Sequence, residues 1–142
     1  MNFYLLSHDD FLEKFNQNVC QVASIRKFLL DLGIPPNKVG YKFLIDAVKY
    51  VLDHDCANLS LTKDIYIHIS RRHQTSVSNV DRAIRYVIEY IWKYYDAAHI
   101  KIAYGHSSKI GRPTNSEFIY QTAEKIRGIC TYPFLSKQMQ VL

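Results

Sequence analysis

No stretch of the chain approaches the ~18 uninterrupted apolar residues that a membrane-spanning helix needs, so no membrane association is expected in its 142 residues. Cysteine is scarce: Cys20, Cys56 and Cys130 are far apart and odd in number. That argues against a disulfide framework and for a reducing cytoplasm. The opening MNFYLLSHDD is acidic, with a short apolar run and no small-residue cleavage site, so no signal peptide is expected. Repeats and low-complexity tracts are missing. So are nucleotide-binding loops: Gly111, followed by Arg112 and Pro113, is not a phosphate cradle, and no Walker or dinucleotide pattern occurs. His54, Cys56, His68 and His73 lack the paired spacing of zinc ligands and read as satisfied or surface side chains. SHDD at Ser7 has triad residue types, but neighbours in sequence do not make a triad. No cofactor, metal or catalysis is expected.

Apolar residues make up 48% of the chain, enough for one compact domain with a real core. The formal charge is +5 and it is unevenly spread. Residues 1–60 hold six Lys/Arg and seven Asp/Glu, whereas residues 61–142 hold twelve and six. A basic half favours a polyanionic partner such as nucleic acid.

The punctuation marks out helices and offers little strand signal. DDFLEKF from Asp9 reads as a short amphipathic helix. VCQVASIRKFLLDLG from Val19 has helical periodicity and stops at Gly33, before Pro35 and Pro36. GYKFLIDAVKYVLDH from Gly40 places Phe43, Leu44, Ala47, Val48, Val51 and Leu52 on one face. A helix over roughly 62–72 is expected to start at Thr62 as N-cap. After a short break, Ser76 caps a longer helix to about Tyr95. DAAHIKIAYG is a short helix, HSSKIGRP a loop, and the last helix runs from a cap at Asn115 or Ser116 to Gly128. The expected organisation is an N-terminal extension with a short helix over 1–18, an all-α domain of about six helices over 19–130, and a flexible tail over 131–142. Its centre has the layout of a helix-turn-helix, whose second helix enters the major groove by its N-terminal end.

At ~100° per residue, Val77, Val80, Ile84, Val87, Ile88, Ile91 and Tyr95 share one side of that second helix. Arg82 falls opposite. Asn79 and Tyr86 flank it on one side, and Ser78 and Arg85 on the other. Arginine can bond guanine O6 and N7 together, and asparagine can do the same for adenine. Asp81 has two roles open: accepting from cytosine N4 or orienting an arginine. Ser76, Ser78, Thr62, Lys63, Arg71 and Arg112 are candidates for phosphate contact. Tyr41, Tyr50, Tyr90 and Tyr94 read as a rim around the core, and Trp92 as a packing anchor. These aromatics are too dispersed for a single-strand stacking platform.

Four stretches carry a likeness: GIPPNKVGYKFLIDAV from Gly33, LTKDIYIHISRRHQTSVSNVDRAIRYVIEYIW from Leu61, IAYG from Ile102, and RPTNSEFIYQTAEKIR from Arg112. They resemble the C-terminal effector domain of the master sporulation response regulator, the stage-zero sporulation protein A family. The likeness covers roughly residues 20–128. It implies a six-helix domain that binds duplex boxes resembling TGTCGAA, often as a tandem homodimer, and regulates transcription in the cytoplasm, at the nucleoid. Arg82 and Arg85 match the family's base-reading arginines, with Asp81 in place of a glutamate. Asn79 stands where the best-known members carry arginine, and Tyr86 where histidine is usual. Losing a phosphate-neutralising or base-reading cation costs ~1–3 kcal/mol where it made a good base contact, so box preference or affinity is expected to change.

The family's contact surface for the RNA polymerase sigma factor falls on Tyr95, His99, Lys101 and Tyr104, where the match is poor. Only about 20 residues precede the likeness, too few for the ~120-residue βα receiver domain of the full family protein. A receiver-less relative, controlled by abundance or a partner, is therefore expected. The rival reading is an interaction module that pairs with a full-length relative or polymerase. A third is an anti-regulator that occupies boxes without activating.

Overall fold

A computed structural model describes residues 7–54, 58–104 and 111–140, the side chains of 131–140 excepted. It is all-α: six helices, with no strand among the described residues. No described helix is long and apolar enough to cross a membrane. Cys56 and most of the HSSKIGRP loop lie outside the described residues.

The first helix, α1, is one continuous rod, His8–Leu32, where the sequence suggests two pieces. Nothing between Phe15 and Val19 breaks a helix: Asn16, Gln17 and Asn18 are polar, but neither glycine nor proline intervenes. Ser7 caps its start by accepting from the Asp10 amide at 3.1 Å. Its end is the expected one. Gly33 takes a left-handed φ of 102°, and its amide returns to the Leu30 carbonyl at 3.0 Å. A side chain there would also strike the ring of Tyr95, 2.4 Å from an ideal Cβ.

The second helix, α2 (Val39–Asp53), buries Phe43, Leu44, Ala47, Val48 and Val51, as its periodicity predicts, with Leu52 half-buried. It lies at the centre and packs on the first, third, fourth and sixth helices. The next segment opens as a wide π-type turn, Leu61–Tyr66, and continues as α3, Ile67–Arg72. Its cap is Ser60 rather than Thr62: the Ser60 hydroxyl accepts from the Lys63 amide at 3.3 Å. Thr62 is exposed one step inside.

Ser76 does cap the longest internal helix, α4 (Val77–Tyr94), accepting from the Asn79 amide at 3.1 Å. Val80, Ile84, Val87, Ile88 and Ile91 are buried along it. Val77 is half-buried. Tyr95 leaves the predicted stripe, because it is the residue after the helix and its backbone is extended, with ψ of 146°. Ser76→Ala is expected to lower the unfolding free energy by about 1 kcal/mol, read from a urea titration, because one N-terminal amide loses its partner. An unchanged midpoint would show that water replaces the hydroxyl.

After α4 come α5 (Ala97–Tyr104) and α6 (Asn115–Gln140). Thr114 caps α6, not Asn115 or Ser116: its hydroxyl accepts from the Glu117 amide at 3.1 Å. That leaves the Asn115 side chain available for another task. The helix continues past Gly128, where the sequence offers a stop. Glycine weakens a helix without breaking it, and a Cβ at Gly128 would meet nothing within 4 Å. The aromatic core lies where α4, α5 and α6 meet: Tyr104 stacks on Phe118 at 5.4 Å, and Trp92 meets both rings edge-on, as a packing anchor should. Of the four expected rim tyrosines, Tyr41 is buried, Tyr50 and Tyr90 are half-buried, and Tyr94 is exposed.

Candidate nucleic-acid interface

α3 and α4 form a helix-turn-helix around a tight corner. His73 closes α3 with its amide on the Ile69 carbonyl at 3.0 Å. Gln74 then turns the chain at φ 52°, and Ser76 starts α4. The corner is tied to α2 by Asp46, which faces His73 Nε2 at 2.5 Å and Arg72 at 3.5 Å. His54 and His68, the other two described members of the excluded metal set, instead pack against Tyr50.

The buried stripe of α4 fixes which side faces outward. Ser78, Asn79, Arg82, Arg85 and Tyr86 are all exposed on that front. Arg82 has no ion-pair partner among the described residues and lines a shallow hollow with Lys38, Thr75, Asn79 and Tyr86. The Asn79 amide group donates to Thr75 Oγ1 at 3.2 Å, which holds it at the head of the front. Lys38 Nζ lies 5.9 Å from the centre of the half-exposed Tyr86 ring.

Asp81 is the hub behind this front. Its Oδ2 accepts from Arg85 Nη2 at 2.5 Å, one turn along the helix. Its Oδ1 accepts from the Tyr66 hydroxyl at 3.1 Å and from Asn115 Nδ2 at 3.2 Å. Asn115 also donates to Tyr66 Oη at 3.0 Å and to the Asp81 carbonyl at 3.1 Å. Burial raises the Tyr66 phenol above its ordinary pKa, so at neutral pH it stays a donor. Both carboxylate oxygens are thus engaged with protein partners, and the contact to Arg85 is the one an arginine-orienting carboxylate makes. Sequence reasoning missed Tyr66 and saw Asn115 only as a cap. The signal lies in PTNSEF, where Thr114 already supplies the cap and so releases Asn115.

The candidate phosphate contacts are dispersed. Ser76 and Ser78 flank the start of α4, and Arg71 is exposed at the end of α3. Thr62 and Lys63 are exposed on the wide turn ahead of α3. Arg112 is ion-paired with Glu89 of α4.

The candidate polymerase surface needs correction. Tyr104 is only 3% exposed and belongs to the core; its hydroxyl donates to Gln121. Tyr95 stacks on His99 at 4.6 Å, and His99 Nε2 meets the Leu32 carbonyl at 3.1 Å. Those two close the turn after α1. Of the four, Lys101 alone is both exposed and without a contact of this kind among the described residues. The short sequence gives each residue a helical position but not the helix's facing, and α5 turns its aromatic end inward.

Residues 25–126, well over half of the chain, match the family described as sporulation initiation factor Spo0A C terminal. The match begins within α1, takes in the corner and the whole of α4, and ends in α6. The chain therefore belongs to the Spo0A C-terminal family, the DNA-binding effector domains of sporulation transcription regulators.

Proposed function

We propose that the domain reads specific sequences in duplex DNA with the front of α4 laid in the major groove, at boxes resembling TGTCGAA. The observation that carries this reading is the exposed Arg82, unpaired among the described residues, between two already oriented neighbours, Arg85 and Asn79. A planar fork held ready costs less entropy on binding than one that must be ordered first. Arg82 and Arg85 read guanines, and Asn79 and Tyr86 tune the flanking preference. Asp81 acts from behind by aiming Arg85. Ser76, Ser78, Thr62, Lys63 and Arg71 contact phosphates, while Arg112 serves first as the partner of Glu89. Tandem boxes would take two copies, and the exposed Lys101 is the remaining candidate for a sigma-factor contact.

The test is fluorescence anisotropy with a duplex carrying the box and a scrambled duplex of equal composition, at several salt concentrations. The expected preference for the box is ~10³-fold or more. Arg82→Ala is expected to shrink that preference by ~1–3 kcal/mol. Arg71→Ala should weaken both duplexes alike and reduce the salt slope by about one. Equal, steeply salt-dependent binding to both duplexes would mean that phosphates alone are sensed, and would favour the protein-interaction reading.

A further inference from the structure

Cys20 and Cys130, 110 residues apart in sequence, are brought to a sulfur–sulfur distance of 3.0 Å where α1 lies along α6. That is closer than two unbonded sulfurs rest, and about 1 Å more than a disulfide requires. Both residues are half-buried, so a small oxidant can reach them while a bulky thiol is hindered. Ser24 Oγ stands 3.7 Å from the Cys130 sulfur and 4.0 Å from that of Cys20, one turn along α1. Lys49, anchored on Asn18, Gln21 and Asp53, adds positive charge beside the pair. The spacing in sequence gives no hint of this; only the packing of the first helix against the last creates it.

We propose that Cys20 and Cys130 form a thiol-oxidation site, closed to a disulfide by a hydroperoxide and reopened by thiols. One thiolate attacks a peroxide oxygen. The O–O bond breaks, giving a sulfenic acid and, with one proton, water (or an alcohol from an organic hydroperoxide). The second sulfur then attacks the sulfenic sulfur. The S–S bond forms, the S–O bond breaks, and the displaced hydroxide leaves as water with the second thiol's proton. Two thiols are oxidised and one peroxide is reduced. Burial, and next the neighbouring Cys20, raise the Cys130 thiol above its ordinary pKa, while the Ser24 hydroxyl and, less, Lys49 partly offset this. The reaction is therefore expected to be slow at neutral pH and faster as pH rises. In a reducing compartment such a bond is transient, which is the pattern of sensing rather than structural disulfides.

The consequence is mechanical. The bond staples α1 to α6 and closes a loop spanning nearly the whole domain, which removes much of the unfolded chain's freedom. The experiment uses the full chain with Cys56→Ser, so that Cys20 and Cys130 are the only thiols. Hydrogen peroxide is added in small molar excess, and dithiothreitol afterwards. The expected result is loss of both titratable thiols without dimer formation, a peptide map linking the Cys20 and Cys130 segments, and a rise in Tm on the order of 10 °C that dithiothreitol reverses. Cys20→Ser and Cys130→Ala in the same background should abolish the rise, with circular dichroism confirming that each still folds. Retained thiols, separate sulfinic acids, a bond between two chains, or an intrachain bond that leaves Tm unchanged or lowers it would each overturn the proposal.

Discussion

Gly40→Ala is expected to destabilise the domain by about 3 kcal/mol, a large fraction of what holds a domain of this size together. The reason is a single crossing. Gly40 lies in the first turn of α2, and an ideal Cβ there would lie 2.3 Å from the Ala83 carbonyl oxygen and 2.9 Å from both methyls of Val87. A long side chain could swing aside; a backbone oxygen inside α4 cannot. The two helices must separate, and that loosens the packing around Val80, Ile84 and Val87, all fully buried. A urea titration of the full chain measures the effect. Gly128→Ala is the matched control, because its Cβ would meet nothing within 4 Å. That change should instead be neutral or stabilising by up to ~1 kcal/mol. If Gly40→Ala unfolded at the parent's urea concentration, α2 and α4 would have to tolerate a wider separation than their packing indicates.

Asp81→Ala is expected to act on stability and on recognition together. It strips one acceptor from the buried Tyr66 hydroxyl and from Asn115, and it releases Arg85. Leaving half-buried donors short of partners costs about 1–3 kcal/mol. The expected value is below the top of that range, because Asn115 still reaches Tyr66 and the backbone carbonyl of residue 81. If the reading of α4 as the DNA-facing helix is right, box preference should also fall, since an unaimed Arg85 pays rotamer entropy on binding. Asp81→Asn separates the two effects. It keeps an acceptor for Tyr66 and loses the charge that holds Arg85, so preference should drop more than stability. Unchanged stability in the alanine variant would show the hub to be idle.

Most of the fold is legible in the sequence where one signal acts alone. Gly33 followed by Pro35 and Pro36 stops a helix by backbone sterics, and it does so here. Ser76 stands just ahead of an apolar stripe and caps it. The periodicity of α2 and α4 names their buried residues because both helices are strongly two-faced. Where signals compete, the reading slips. Ser60 and Thr62 are both reasonable caps, and the wide turn over Leu61–Tyr66 decides for Ser60, a choice that local propensity does not see. Asn16–Asn18 looks like a gap because it is polar, but polarity alone leaves a helix intact and merely exposed.

The candidate site divides in the same way. The exposed positions of Arg82, Arg85, Asn79 and Tyr86 follow from the helical wheel. The network behind Arg85 does not, because Tyr66 and Asn115 reach its partner Asp81 from segments distant in sequence. By sequence alone Tyr104 is as reasonable a surface residue as Lys101; packing against Phe118 and Trp92 places it inside.

The hub at Asp81 also bears on the order in which the protein comes into being. Asn115 lies 34 residues after Asp81, and Tyr66 lies 15 before it. On a ribosome the two helices of the corner are made before α6 and can form early, since their contacts are local. The strap that ties α4 to α6 arrives only when the start of α6 clears the exit tunnel. A nascent chain therefore carries Arg85 and Asp81 on α4 before it carries Asn115, and the network around Asp81 is completed by a segment that stands behind the helix.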